Sequence, residues 1–242
     1  MLIPFKNLLI NKKIKGIIHI GAHELEEMKD YLKKGINRII WVEANPEKYK
    51  YIEKKIQKFN LMDLAKIAAG SKERNTKLNI ANNGQSSSIL EFGTHAKSYP
   101  NIYYTSQISV PEMPIDKWID INIKDRKNYN FINIDIQGYE LEALKGMRKQ
   151  IKFADYIYLE VNFKEVYKNC CNLEKIDDFL KKFNFHRVGT YRTIKGWGDA
   201  IYTKEDVLIS KLYYLVLIPI IRLIRIPKKI FIKTFNYINS LN

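Results

Sequence analysis

The amino-acid sequence predicts an α/β protein in which a mostly parallel sheet is flanked by helices. Between residues 17 and 69, short apolar and β-branched runs alternate with segments whose apolar residues recur every three or four positions. This strand–helix alternation requires right-handed crossovers, which place the strands parallel to one another. A chain of 242 residues suits one domain with an appendage. We therefore expect a domain over residues 1–206 and a distinct tail over residues 207–242.

Residues typical of helix ends separate the elements in the first part of the chain. Gly35 is suited to end the first helix, and Asn45 followed by Pro46 is suited to begin the second. In chain order we predict a strand over residues 17–20, a helix over 24–34, a strand over 38–43, a helix over 46–59 and a strand over 65–69.

An insertion interrupts the second half of the pattern. Residues 77–114 contain short extended pieces and polar turns, among them NNGQSSS, and predict strands and loops instead of another crossover helix. The parallel pattern resumes with a strand in NFINIDIQG, followed by a helix over 140–150, a strand over 155–161, a helix over 173–183 and a closing hairpin of residues 185–192 and 199–204.

The chain carries 41 Lys and Arg against 26 Asp and Glu, a net charge of +15. Such an excess favours an anionic partner, although a Lys-, Ile- and Asn-rich composition produces the same excess without one. The two cysteines are adjacent and suit a reducing compartment, and the N-terminus has no signal-peptide pattern. We expect a cytoplasmic protein.

The predicted tail is basic and apolar. Its uninterrupted apolar stretch is too short to span a bilayer, but its interleaved basic and apolar residues suit an anionic membrane surface, with Tyr213 and Tyr214 at headgroup depth. A helix packed on the domain or a partner-binding segment is the alternative. The basic residues of the tail are Lys211, Arg222, Arg225, Lys228, Lys229 and Lys233.

A nucleotide-type site is predicted where the first two strands end. Gly21, Ala22 and His23 follow the first strand, and Glu43 ends the second, where an acid is placed to accept both ribose hydroxyls. Asn45 lies beside it. The glutamates that follow the turn would repel a phosphate, so the pattern favours a cationic nucleoside such as S-adenosylmethionine.

The sequence resembles the FkbM-type S-adenosylmethionine-dependent methyltransferases between residues 16 and 203. The resemblance implies a class I methyltransferase (Rossmann-like) fold and O-methylation of a hydroxyl on a sugar or similar natural product. It also implies that Gly21, Ala22 and His23 form the cofactor loop and that Glu43 binds the ribose. Similar proteins commonly carry glycine at the position of Leu25. The segments that carry the resemblance are IIHIGAHELEE, WVEANP, NNGQSSSIL, NFINIDIQGYELEALKGM, YIYLEVN and GWGDAIY.

O-methylation needs a group that removes the acceptor's proton. Asp135 and Glu160 end buried strands on the cofactor side, and His23 lies in the cofactor turn, so these three are the candidate catalytic residues. Asp135 also suits a structural helix cap, as Glu140 does, and His19 suits a core position. A divalent metal would also activate a hydroxyl, but no spacing gives a metal-ligand pattern.

Candidate acceptor-binding residues come from three segments. Gln85, Ser86 and Ser87 offer short hydrogen-bonding side chains, Asn162 follows Glu160 on the same strand face, and Trp197 with Asp199 suits stacking on a sugar. An ordinary polar turn, and a lid or core tryptophan, are the alternatives.

The sequence thus favours a methyltransferase acting on a small-molecule or glycan acceptor. A catalytically degenerate domain that binds at a membrane is one alternative. A nucleic-acid methyltransferase is another, which we consider unlikely because the chain lacks a base-flipping signature.

Overall fold

A seven-stranded sheet forms the centre of the protein in a computed structural model, which describes residues 2–205 and 207–217. The strand order is β3-β2-β1-β7-β8-β10-β9, and all neighbours are parallel except that β10 runs antiparallel to β8 and β9. This mostly parallel arrangement confirms the predicted α/β fold class. The strands are β1 (Ile17–Ile20), β2 (Ile39–Glu43), β3 (Met62–Lys66), β7 (Phe131–Ile134), β8 (Tyr156–Asn162), β9 (His186–Arg192) and β10 (Trp197–Thr203).

Helices cover both faces of this sheet. Successive side chains of a strand point to opposite faces, so Ile18 and Ile20 pack in one apolar cluster while Ile17 packs in the other. The helices are α1 (Met28–Lys33), α2 (Pro46–Ile56), α3 (His95–Ser98), α4 (Ile115–Asn122), α5 (Glu140–Lys145), α6 (Arg148–Ile151), α7 (Leu173–Lys181) and α8 (Val207–Leu212), with 3-10 turns at Phe5–Asn7 and Arg126–Asn128.

Helix α1 begins at Met28, so the prediction that it starts at residue 24 was wrong. His23 and Leu25 adopt left-handed backbone conformations, with φ of 42° and 63°, which a right-handed helix excludes. The Leu25 side chain is nevertheless buried in the apolar cluster beneath α1. Glycine adopts such a positive φ without strain, whereas leucine does so at a cost.

The insertion forms a second, three-stranded sheet of order β4-β6-β5, built from β4 (Ala68–Ala69), β5 (Arg74–Ala81) and β6 (Tyr104–Met113). The predicted strand over 65–69 is therefore divided between the two sheets. The helix predicted over 140–150 is also divided, into α5 and α6. Gly146 caps the end of α5 and packs so closely on the chain that a Cβ there would lie 1.9 Å from the Gly70 carbonyl oxygen. Helix α4 was not predicted from the sequence.

The described part of the tail packs on the domain. Tyr213 and Tyr214 lie in a π-helical turn over Tyr213–Leu217 and are both buried, so the prediction that they sit at headgroup depth was wrong. The Tyr214 hydroxyl accepts a hydrogen bond from the Leu9 N–H at 2.8 Å, and the Tyr213 hydroxyl donates to the Asn7 carbonyl at 3.1 Å. The basic residues predicted at Arg222 and beyond lie outside the described residues. Within residues 2–205 and 207–217, no helix has the length and apolarity needed to cross a membrane.

Candidate active site

The carboxyl ends of β1 and β7 approach each other closely at Gly21. This residue has φ of +91°, and a Cβ here would lie 1.9 Å from the Asp135 carbonyl oxygen. Only glycine therefore permits the two strand ends to meet. The close approach places the turn after β1 beside Asp135, at the edge of the sheet where ligands bind in open parallel folds.

Glu43 lies at the base of a pocket beside this turn, which we name the nucleoside pocket. Its two carboxylate oxygens accept hydrogen bonds from the backbone N–H groups of His23 and Asn45, both at 2.8 Å. Burial raises the pKa of Glu43, although those two hydrogen bonds act in the opposite direction. Each carboxylate oxygen keeps a second lone pair, so the group retains the capacity to accept ribose hydroxyls.

The remaining wall of the nucleoside pocket is mostly apolar. Such a surface suits a purine ring, while the carboxylate of Glu43 suits a ribose, so the residues present fit the adenosine part of S-adenosylmethionine. The apolar residues that line it are Ile20, Val42, Ala44, Ile67, Ala68, Ala69, Leu78, Ile89 and Ile136.

Most of the predicted cofactor residues reach this pocket. Gly21, His23, Glu43 and Asn45 line it, and the Asn45 side chain also caps α2 by accepting from the Glu47 N–H. Ala22 does not line it: this residue is fully buried, and its N–H donates to the Val42 carbonyl. Its small side chain fills the core behind the turn.

A second cavity of about 450 Å³, the polar cleft, lies next to the nucleoside pocket. Gly21, His23, Gln85, Asp135 and Gln137 line both cavities, so the two are continuous at the turn after β1. The polar cleft has aromatic walls formed by Tyr99, Tyr158, Tyr167 and Trp197, and its carboxylates are Glu26, Glu27, Asp135, Glu160 and Asp199.

Gln137 links the two candidate catalytic carboxylates. Its side-chain N–H₂ donates to Asp135 at 2.6 Å and to Glu160 at 3.2 Å. Its carbonyl oxygen accepts from the Tyr167 hydroxyl at 2.5 Å, which orients the amide. Gln137 has φ of 56°, a conformation disfavoured for a side chain of this size. Such strain at the edge of a cavity is typical of a functional position.

Asp135 and Glu160 both hold protons more tightly than ordinary carboxyl groups. Desolvation by the surrounding cavity walls raises the pKa of Asp135, although this residue is exposed to solvent at the cleft. Burial together with the neighbouring Asp135, Glu140 and Asp199 carboxyls raises the pKa of Glu160 strongly. A carboxyl group whose pKa is moved toward neutrality is suited to exchange a proton with a bound hydroxyl.

Glu140 has a structural position. One of its oxygens accepts from the Gly138 and Ile136 N–H groups at 2.9 and 3.3 Å, closing the turn before α5. It is fully buried, and burial raises its pKa to about 7. Glu140 lines neither cavity, which agrees with the capping role weighed for it.

Asp199 stands directly opposite Glu160 in the antiparallel β8–β10 pair. Its carboxylate accepts hydrogen bonds from the Tyr158 hydroxyl and from the Leu2 N–H. Burial raises the pKa of Asp199 to about 6. Two buried carboxyl groups thus face each other across neighbouring strands at one wall of the polar cleft.

The histidines divide into structural and accessible groups. His19 is a satisfied buried residue: its Nδ1 lies 3.0 Å from the Tyr31 hydroxyl and its Nε2 lies 3.2 Å from the Gly21 carbonyl oxygen. His23 pairs through Nδ1 with Glu26 at 2.7 Å, while its Nε2 has no hydrogen-bond partner among the described residues. His23 lines both cavities where they join, and its unpaired Nε2 is itself buried.

His95 is a cleft residue that the sequence did not identify. It stacks on Phe92 with ring centroids 4.3 Å apart, lies 5.4 Å from the Tyr167 ring and lines the polar cleft. Burial lowers the pKa of His95. No motif surrounds this residue, so only the packing of distant aromatic side chains around it could reveal its place.

Only some of the predicted acceptor-binding residues line the polar cleft. Gln85 and Ser86 line the polar cleft, whereas Ser87 lines the nucleoside pocket, and its hydroxyl also donates to the Gly84 carbonyl at 2.7 Å. Trp197 lines the cleft, and its indole N–H donates to the Tyr99 hydroxyl at 3.0 Å. Asn162 lines neither cavity, since it lies at the buried end of β8 opposite Trp197.

Among the residues that the structure describes, no three His, Cys, Asp or Glu side chains lie close enough together to hold a metal ion. Cys170 and Cys171 are both free thiols.

Solved structures similar to this chain include several methyltransferases of low sequence identity. A SAM-dependent methyltransferase from Aquifex aeolicus is 13% identical, with 79% of this chain and 82% of that chain covered and a TM-score of 0.40. The ribosomal protein L11 methylase from Lactobacillus delbrueckii subsp. bulgaricus is 9% identical, with coverages of 79% and 70% and a TM-score of 0.44. TrmK from M. capricolum, in complex with S-adenosylhomocysteine, is 8% identical, with coverages of 79% and 62% and a TM-score of 0.45.

The comparison with protein families is more specific. A search of curated protein sequences gives no match. The model of the methyltransferase FkbM domain matches residues 19–187, which include the turn after β1, Glu43, the Asp135–Gln137 segment and Glu160. Because this match spans well over half of the sequence, the chain belongs to the FkbM methyltransferase family.

Proposed function

We propose that this protein transfers a methyl group from S-adenosylmethionine to a hydroxyl of a sugar, glycan or similar natural product. The observation that carries the proposal is the continuity of the nucleoside pocket with the polar cleft at Gly21, His23 and Asp135. A nucleoside held by Glu43 would have its remaining part directed toward the cleft, where an acceptor has room to bind.

S-adenosylmethionine supplies a methyl group that is already activated by its sulfonium. The protein must therefore position the acceptor hydroxyl and remove its proton. Asp135 and Glu160 are the carboxyl groups available in the cleft for that proton, and Gln137 holds them together. His23 lines both cavities and is a further candidate base.

Features of the polar cleft favour a hydroxylated acceptor. Trp197 and Tyr99 present aromatic surface of the kind on which a sugar ring stacks, and Gln85, Ser86 and Asp199 offer hydrogen-bonding groups beside it. A nucleic-acid acceptor suits the cleft less well, because its lining holds five carboxyl groups and, among the described residues, no Lys or Arg.

The experiment is incubation with S-adenosylmethionine and a panel of methyl glycosides, followed by mass spectrometry for added methyl groups. We expect methylation of at least one glycoside, loss of activity in Asp135→Asn, and normal activity in Glu174→Gln, which alters an exposed acid on α7. Methylation of RNA with no methylation of any glycoside would contradict the proposal.

We also propose that residues 218–242 hold the enzyme at an anionic membrane surface. This segment contains five basic residues and no acidic one, interleaved with apolar side chains. Since Tyr213 and Tyr214 pack on the domain, the informative truncation ends after Leu217. We expect full-length protein to sediment with phosphatidylglycerol vesicles but not with phosphatidylcholine vesicles, and the truncated protein to sediment with neither. Equal sedimentation of both proteins would contradict a membrane role of the tail.

A further inference from the structure

We infer that the acceptor carries a positive charge beside its reactive hydroxyl, as an amine-bearing sugar or aminocyclitol does. The inference rests on the proposed function, since it concerns the acceptor of the same cleft. The amine would bind between Glu160 and Asp199, with its carbon skeleton against the aromatic walls.

The charge of the cleft is opposite to that of the whole protein. The chain has a net charge of +15, yet the described residues that line the polar cleft include five carboxyl groups and no Lys or Arg. Lys48 lines the nucleoside pocket and is already paired with Glu24 at 2.7 Å, and the Lys195 ammonium lies over the Tyr99 ring, 5.4 Å from its centroid. The cleft would therefore attract cations and repel acceptors that carry phosphate or carboxylate groups.

Glu160 and Asp199 are the two acids that best fit a bound amine. They lie opposite each other on β8 and β10, and both are largely buried. Their described hydrogen-bond partners are Gln137 for Glu160 and Tyr158 and Leu2 for Asp199. The positive charge of the N-terminal amino group acts on Asp199 and on Asp135 and offsets part of the negative charge of the cleft. Like charges placed this closely are stabilised by a cation that binds between them.

The methyl donor accounts for only part of this charge. S-adenosylmethionine brings a sulfonium and an ammonium but also a carboxylate, a net charge of one. Asp135 lines the nucleoside pocket as well as the cleft, and Glu26 and Glu27 belong to the turn that follows β1. Glu160 and Asp199 line the cleft but not the nucleoside pocket, so they remain available to the acceptor.

Two further observations point to a cationic ligand that donates hydrogen bonds. Asn133, which is 1% exposed, lines the cleft, and its side-chain oxygen has no partner among the described residues. An unpaired buried acceptor is costly unless a donor reaches it. Trp197 lines the cleft and is partly exposed, so its ring is placed to bind an ammonium group through a cation–π interaction.

The test compares four methyl glycosides: those of glucosamine, N-acetylglucosamine and glucose, which differ only at C2, and that of glucuronic acid, which carries a carboxylate at C6. Binding to the full chain saturated with S-adenosylhomocysteine is measured at pH 7 by saturation-transfer NMR titration. We expect the glucosaminide to bind about tenfold more tightly than the N-acetyl and glucose compounds, a typical effect of one charge-assisted contact, and the glucuronide not to bind.

Asp199→Asn is the matched variant, because it removes one charge and nearly preserves shape. We expect it to reduce the preference for the amine to about twofold, because it weakens binding of the glucosaminide much more than binding of the glucoside. Equal binding of glucosaminide and glucoside by the unmodified protein would overturn the inference, as would tight binding of the glucuronide. A methylation assay distinguishes this inference from the proposed function. If a neutral glycoside is methylated as fast as the glucosaminide, only the inference of a charged acceptor is overturned. If the glucosaminide binds but is not methylated, only the proposed methyl transfer is contradicted.

Discussion

The carboxylate of Glu43 accepts a hydrogen bond from the backbone N–H of His23 at 2.8 Å, and so joins the end of β2 to the turn after β1. The second carboxylate oxygen accepts from the Asn45 N–H at the start of α2. Glu43 is therefore fixed in place before any ligand binds. A fixed acceptor loses little conformational freedom on binding, which favours tight recognition of a ribose.

Gln137 should tune the titration of the cleft carboxyls. Its hydrogen bonds lower the pKa of Asp135 and of Glu160, against the larger effect of burial. Gln137→Ala removes both bonds, so we expect both pKa values to rise, by about one unit. Carbon-13 NMR titration of the side-chain carboxyls measures this shift directly.

Tyr167→Phe, which removes only the hydroxyl that orients Gln137, should give a smaller shift of both pKa values in the same direction. Unchanged titration in Gln137→Ala would show that the amide does not couple the two acids.

Leu25 should tolerate glycine better than alanine, which reverses the usual order. The residue has φ of 63° and a buried side chain. Both substitutions lose the packing of the leucine, but only glycine relieves the left-handed strain, so we expect Leu25→Gly to be about 1 kcal/mol more stable than Leu25→Ala. Urea denaturation of the two variants measures the difference. If Leu25→Ala were the more stable variant, the strained turn would not exist in solution.

Asp199 should make the stability of the protein depend on pH. Its pKa is 3.8 ordinarily and is raised to about 6 in the fold by burial. The folded state therefore keeps a proton that the unfolded state releases, so this group's contribution to the free energy of unfolding falls as the pH rises from about 4 to about 6. In Asp199→Asn this fall in the free energy of unfolding does not occur. We therefore expect the free energy of unfolding of the variant minus that of the unmodified protein to rise by about 2 kcal/mol from pH 4.5 to pH 7.5. A difference that stays constant with pH would contradict the raised pKa.

Tyr214 should stabilise the domain although it lies in the tail segment. Its hydroxyl accepts from the Leu9 N–H, and its ring packs so closely on Gly189 that a Cβ there would lie 2.6 Å from the ring. We expect Tyr214→Phe to lower the free energy of unfolding by about 1 kcal/mol and Tyr214→Ala by about 3 kcal/mol. Thermal denaturation measures both, with the exposed Leu215→Ala as the control. Equal stability of all three variants would mean that the segment does not pack on the domain.

Local patterns were sufficient to predict the sheet and the cofactor end of the site. The strands containing Ile17–Ile20 and Ile39–Glu43 are short apolar runs with clear ends, and in a parallel sheet such ends converge. Gly21 and Glu43 could therefore be paired without knowing any tertiary contact.

The features that the sequence did not reveal depend on long-range contacts or on unusual backbone conformations. Leucine and histidine give no local signal of positive φ, so the late start of α1 was missed. Gln137 acquires its place from Glu160 and Tyr167, which are 23 and 30 residues away. His95 lies in the cleft because Phe92 and Tyr167 stack around it. Such relationships become visible only when the chain is folded.

The central claim is that the nucleoside pocket binds S-adenosylmethionine through Glu43. The most direct test is isothermal titration of the purified protein with S-adenosylmethionine and S-adenosylhomocysteine, with NAD as the control ligand. We predict micromolar binding of the first two and none of NAD. Glu43→Gln, which keeps the side-chain length, should weaken binding by about tenfold, and Glu43→Ala should abolish it in a protein that is still folded by circular dichroism. Absence of binding by the unmodified protein, or unchanged affinity in Glu43→Ala, would contradict the account.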